Sequence, residues 1–183
     1  MVLNGVCLLL QEEEHIDFYK TYKNLKKYFF YFINNIPFDG AAIYCKDNLD
    51  LKRLILKSKK KNKISYGLQK GSDVRATNIL INENGSIFVI NIKKTNLLKK
   101  EIIKKVQLNV LGKHNIQNSL AAVTVAKILN ISTFDLKNAF KNFKGVKRRF
   151  TLVCNFKGIK IIDDYAHHPE EIKATLNLAK IQK

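Results

Sequence analysis

At 183 residues and 46% apolar side chains, the chain is long enough to bury a core as one domain or one and a half. No apolar run reaches the roughly 18 residues that a membrane span needs. The apolar start has no basic leader and runs straight into Gln11-Glu12-Glu13-Glu14, which argues against a signal peptide. The net charge of +18 suggests nucleic acid as a partner. Yet arginine stands only at positions 53, 75, 148 and 149, and lysines are scattered over every segment. Nucleic-acid surfaces lean on arginine for bidentate contacts, so the charge reads as the composition of an AT-rich coding sequence instead. The three cysteines (Cys7, Cys45, Cys154) are odd in number and form no CxxC pair, as expected of reduced core thiols in a cytoplasmic protein.

Residues 1–10 fit a buried parallel strand. Glu12-Glu13-Glu14-His15-Ile16-Asp17 follows at its carboxyl end, where α/β sheets gather ligands and metals. His15 with a nearby carboxylate is a candidate ligand for a hard cation, and a solvated acidic loop is the alternative. Apolar residues at 18, 22, 25, 29, 32, 33 and 36 predict an amphipathic helix that Pro37 stops. Ala41 to Cys45 is a short buried strand, and Asp47 or Asn48 caps a helix through Leu56. Residues 57–63 form a basic loop before a strand at 64–67.

Val74 to Ile81, Ile87 to Ile92 and Ile102 to Leu111 alternate as strands, with residues 82–86 as a hairpin loop between the first two. Strand and helix alternate first, and then antiparallel strands follow in succession. The fold class is therefore α/β: a mostly parallel sheet with helices plus an antiparallel β insertion. A helix rich in small residues begins near Ile116. Ser132 or Thr133 caps the next helix, residues 134–143, which Gly145 ends. A hairpin over 151–164 turns at Lys157-Gly158, and Pro169 opens a helix to Ile181.

Three places concentrate chemistry. Gly112-Lys113-His114-Asn115-Ile116-Gln117-Asn118 breaks a strand and starts a helix, which puts backbone N–H groups and a positive dipole end at one turn. His114, Asn115 and Asn118 can hydrogen-bond a heterocyclic base or a phosphate there. An ordinary helix cap by Asn115 is the plainer reading. Arg148-Arg149 on a connector can reach a nucleotide's phosphates. Asp163-Asp164-Tyr165-Ala166-His167-His168-Pro169 crowds titratable groups before a helix, without a third ligand at a zinc spacing.

Taken together, Gly112-x-His114-Asn115-x-x-Asn118, Gly145-x-x-Arg148-Arg149-Phe150 and Asp163-Asp164-Tyr165-Ala166-His167-His168-Pro169 resemble the Mur ligases, ATP-dependent amide-forming enzymes of peptidoglycan precursor synthesis. Glu14-His15-x-Asp17 and Asn35-Ile36-Pro37-Phe38-x-Gly40 resemble the branch that joins L-alanine to UDP-N-acetylmuramate. The resemblance implies that residues 1–145 are the later part of the central ATP-binding domain and residues 146–183 the beginning of the C-terminal domain.

It also implies roles. His114, Asn115 and Asn118 would hold the adenine end of ATP, and Arg149 would act catalytically on its phosphates. Asp164 would bind the ribose side, His15 would serve magnesium, and His168 would orient the incoming amino acid. ATP and Mg2+ are the implied cofactors, UDP-N-acetylmuramate and L-alanine the implied substrates, and neither a membrane nor a nucleic acid the implied partner. No Gly-x-x-x-x-Gly-Lys-Ser/Thr phosphate loop occurs in the sequence. The expectation is therefore an internal fragment, inactive alone, with an exposed apolar sheet edge. The alternatives are a fragment of the related tripeptide-recycling ligase and a non-catalytic basic nucleotide- or RNA-binding module.

Overall fold

The computed structural model describes residues 6–9, 19–82, 84–167 and 169–181. The first strand, β1 (Val6–Leu9), pairs in parallel with β2 (Ala41–Cys45), which pairs in parallel with β3 (Lys63–Gly67). Strand β4 (Val74–Asn82) joins β3 in parallel, through Tyr66↔Val74 and Gly67↔Arg75. The chain then turns back through β5 (Gly85–Ile92) and β6 (Glu101–Leu108), both antiparallel. The six strands lie in sequence order in a single sheet. The antiparallel strands thus continue the parallel sheet and form no separate layer.

The burial patterns explain this order. Strand β2 is buried at every position because both of its faces are covered. Ala42 and Tyr44 face a cluster with Ile33 of α1 (Tyr22–Asn34) and Leu51 and Ile55 of α2 (Leu49–Lys57). Ala41, Ile43 and Cys45 face a larger cluster that includes Tyr66, Phe88, Ile90, Ile103 and, from α3 (Lys113–Ile128), Ile116 and Leu120. Strands β4 to β6 are covered on one face only, which is why their residues alternate between buried and open. Helix α4 (Thr133–Asn142) completes that layer through Leu136.

Local chemistry sets the helix ends. Thr21 caps α1 by accepting from the Asn24 amide, so α1 starts at Tyr22; Phe18, where the sequence pattern begins, lies outside the described residues. Asn48 caps α2, accepting from the Asp50 and Leu51 amides at 3.0 Å each. Asp47 is not the cap. Ser132 caps α4 through the Asp135 amide. Strand β6 ends at Leu108, three residues before the expected Leu111, and α3 begins at Lys113 instead of near Ile116.

A second, two-stranded sheet follows. Strands β7 (Thr151–Phe156) and β8 (Ile159–Asp163) pair antiparallel about Lys157 and Gly158. Both turn residues have positive φ, 48° and 84°, as a two-residue hairpin of the primed type requires. Helix α5 (Pro169–Ile181) starts at the expected proline, and its Leu178 is buried against Gly112.

Cys45 is a buried free thiol as expected. Cys154 is exposed on the hairpin and is not a core thiol, because neither face of that two-stranded sheet is covered. Among the described residues no helix is long and apolar enough to cross a membrane.

Candidate functional site

The turn before α3 is built on Gly112. Its φ of 102° lies where side chains are strained, and it is the N-cap without any side-chain cap. Gly112 O accepts from the amides of Asn115 and Ile116 at 3.1 and 3.4 Å. A Cβ on Gly112 would stand 2.7 Å from His114 Cε1, 2.9 Å from its Nδ1 and 3.3 Å from Leu178 Cδ2. The imidazole therefore comes so close to Gly112 that a side chain there would push it aside. Asn115 does not cap the helix. It occupies the third helical position, and its Nδ2 donates back to the Leu111 carbonyl at 2.6 Å. His114 and Asn118, four apart and so on one face of α3, both keep open surface.

The connector after α4 supplies the second part. Arg148 and Phe150 both have left-handed backbones, φ 60° and 50°, on either side of Arg149. Such conformations cost about 1–3 kcal/mol each unless the surroundings hold them. Asp164, just past β8, does the holding. Its Oδ2 accepts from the Phe150 amide at 2.7 Å and its Oδ1 from the Ala166 amide at 2.8 Å. The Tyr165 amide also donates to the Arg148 carbonyl at 2.8 Å.

The two arginines point to different neighbours. Arg149 Nη1 lies 3.2 Å from Glu171 Oε1 on the first turn of α5. The other oxygen of Glu171 accepts from the His167 amide at 3.3 Å. Arg148 Nε is 3.6 Å from Asp163 Oδ2, and its guanidinium stacks 4.8 Å from the Tyr165 ring centroid. Tyr165 in turn meets His167 edge-on at 5.1 Å.

These pieces share one electrostatic neighbourhood. Desolvation of the His114 ring draws its pKa below the ordinary histidine value. The Arg149 charge lowers it further, and the Asp164 carboxylate opposes both. His114 from α3, Arg149 from the connector and Asp164 from the end of β8 thus come together across some fifty residues of chain. His15 and His168 lie outside the described residues. Among the described residues no three His, Cys, Asp or Glu side chains gather as a metal site. Magnesium is not fitted by the acids at this turn: Asp164 is committed to backbone amides and Asp163 to Arg148.

Two partners escaped the sequence reading. Glu171, on the first turn of α5, grips Arg149. Gln117, an unremarked position inside the turn motif, donates from Nε2 to Asp47 Oδ2 at 2.8 Å. No signal in a single sequence links residues seventy apart.

The parallel strands, their covering helices and polar groups outside the carboxyl ends of β2 and β3 define an α/β domain of the kind that takes ligands at its strand ends. Residues 5–126 match the Mur ligase middle domain, and residues 148–183 match the Mur ligase glutamate ligase domain. The chain belongs to the Mur ligase family. It is 43% identical over 170 residues to the UDP-N-acetylmuramate–L-alanine ligase of Rickettsia massiliae, a match over 92% of this chain and 35% of that protein. The chain therefore spans about a third of the length of the curated relatives it matches. Its fold is similar to MurF from Acinetobacter baumannii, with a TM-score of 0.78 at 23% identity over 97% of this chain and 37% of that one. It is also similar to MurF ligase from Thermotoga maritima in complex with ADP, with a TM-score of 0.74 at 21% identity over 96% and 39% of the two chains.

Proposed function

We propose that the chain is the nucleotide-holding part of an ATP-dependent ligase that joins L-alanine to UDP-N-acetylmuramate in the cytoplasm. In this reading residues 1–145 are the later part of the central domain and residues 146–183 the opening of the C-terminal domain. The observation that carries it is the meeting of His114, Arg149 and Asp164 in a chain 43% identical to a ligase of that name. Mur ligases are ATP-dependent, and the Thermotoga maritima relative was solved with ADP.

ATP supplies the phosphoryl group that activates a carboxylate for attack by an amine. The residues here bind and orient. The uncapped start of α3 offers its amides and positive dipole end to the electron-rich side of the nucleotide. His114 and Asn118 present a ring face and an amide to the base from one side of the helix. Because its pKa is lowered, His114 is neutral at pH 7 and can accept as well as donate.

Arg149 keeps donors beyond the one given to Glu171, and a guanidinium always carries its charge. Asp164 would do two jobs: it fixes the strained turn that presents Arg149, and the lone pairs left beside its two amide bonds would accept from ribose hydroxyls. His15 as the magnesium residue and His168 as an amino-acid-orienting residue belong to the same proposal. No step is derived through magnesium.

Titration of the chain with ADP tests the reading. Binding is expected, and Arg149→Ala should weaken it roughly tenfold, the loss of one charged hydrogen-bonding partner. Equal affinity for wild type and the Arg149→Ala variant would contradict it. Without a phosphate loop the chain should release no phosphate in the presence of ATP, UDP-N-acetylmuramate and alanine. Release dependent on both substrates would show that it catalyses alone.

A further inference from the structure

One cluster at the strand ends is not used by this reading. Asp47 stands just past β2, beside the end of β3. Its Oδ2 accepts from the Leu68 amide at 2.8 Å and its Oδ1 from the Gln69 amide at 3.0 Å. The Gln117 side chain completes the set at 2.8 Å, from the second turn of α3. Gly67 makes room, since a Cβ there would come within 2.7 Å of the Asp47 carboxylate. The Tyr66 hydroxyl is buried nearby without a hydrogen-bond partner. The carboxylate thus serves Gln117 and two backbone amides, and the Tyr66 hydroxyl takes no part.

The consequence falls on the helix start. Gln117 follows His114 by three residues and precedes Asn118 by one, so the Asp47 bond fixes the rotation of that turn about the helix axis. Helix α3 otherwise meets the sheet through Ile116, Leu120 and Val123, apolar contacts without direction. A charge-assisted hydrogen bond supplies the direction.

We infer that Asp47 and Gln117 are a positioning pair that sets where the Gly112–Asn118 turn stands over the strand ends, and so where His114 and Asn118 present themselves to a ligand. The ligand arm of the test rests on the nucleotide reading; the other arm does not.

The whole 183-residue chain is compared with Gln117→Ala and with Gln117→Met, which keeps the length of the side chain but removes the N–H donor to Asp47. ADP affinity, the melting temperature and the His114 Hε1 resonance are measured for each. Gln117→Ala should weaken ADP about five- to tenfold, the worth of one hydrogen bond, and shift the His114 resonance. Gln117→Met should behave as Gln117→Ala does, because it fills the space without making the bond.

If Gln117→Ala lowers the melting temperature while ADP affinity and the His114 line stay at wild type, the pair is merely structural and the inference is overturned. If the wild-type chain binds no ADP, the nucleotide reading fails. The His114 line then decides alone: a shift on both Gln117→Ala and Gln117→Met supports the pair, and an unmoved line removes it.

Discussion

Strands β4 to β6 and strands β7 and β8 carry the same kind of alternating sequence, and they end up in opposite situations. Val74, Ala76, Phe88, Ile90, Ile92, Ile103 and Val106 are buried under α3 and α4. On the hairpin, Leu152, Val153, Phe156, Ile159 and Ile161 are all half exposed or more. Alternation therefore specifies a strand and its two faces, while burial depends on what else is present to cover a face. A two-stranded sheet cannot cover itself and is marginal alone. Polar links through Asp164, Arg149 and Glu171 tie the hairpin's base to the connector and to α5, and Leu178 of α5 lies against Gly112.

Substitution breaks or sharpens this contrast most strongly in the sheet. Phe88→Ala empties a site that is 1% exposed and should cost about 3–5 kcal/mol, as large-to-small core changes do. Ile159→Ala on the hairpin, at 66% exposure, should stay within about 0.5 kcal/mol. Chemical denaturation of both variants checks the pair of values. Equal losses would mean that the hairpin is packed as the sheet is.

The seam between the two regions comes next. Gly112→Ala puts a Cβ into the His114 ring and forces a left-handed alanine, so a loss of about 1–3 kcal/mol is expected. Because the ring must move, the surroundings that lower the His114 pKa should change, visible as an altered histidine titration. A variant as stable as wild type would place the strain elsewhere.

The smallest effect is pH dependence. The folded pKa of His114 lies below its ordinary value of about 6.5. Its contribution to stability is therefore fully present above that value and is lost as pH falls through the folded pKa, because the unfolded chain takes up the proton first. His114→Asn should flatten the acid side of the stability profile, below about pH 6.5, relative to wild type. An unchanged slope would assign the dependence to other groups.

Much of the fold is legible in the sequence, for identifiable reasons. Ala41–Cys45 and Pro169–Ile181 fall at the expected bounds, since a continuous apolar run and a helix-opening proline are local signals. The start of α3 is not, because Gly112 caps without a side chain while Asn115, the residue that looks like a cap, bonds backward to Leu111. At the site, the residues themselves are readable and their partners are not. Glu171 on Arg149 and Asp47 on Gln117 join segments that only the folded chain brings together. The exposure of Cys154 was hidden for the same reason as the hairpin's: nothing local records whether a sheet face is covered.

In the proposed function the uncapped glycine turn and the arginine connector form one nucleotide-binding place, and mapping ADP onto the chain by NMR tests this. Shifts are expected at Gly112–Asn118, the His114 ring and Arg148–Phe150, with the far ends of β4 and β5 unmoved. Binding that shifts other segments and leaves Gly112–Asn118 still would contradict it.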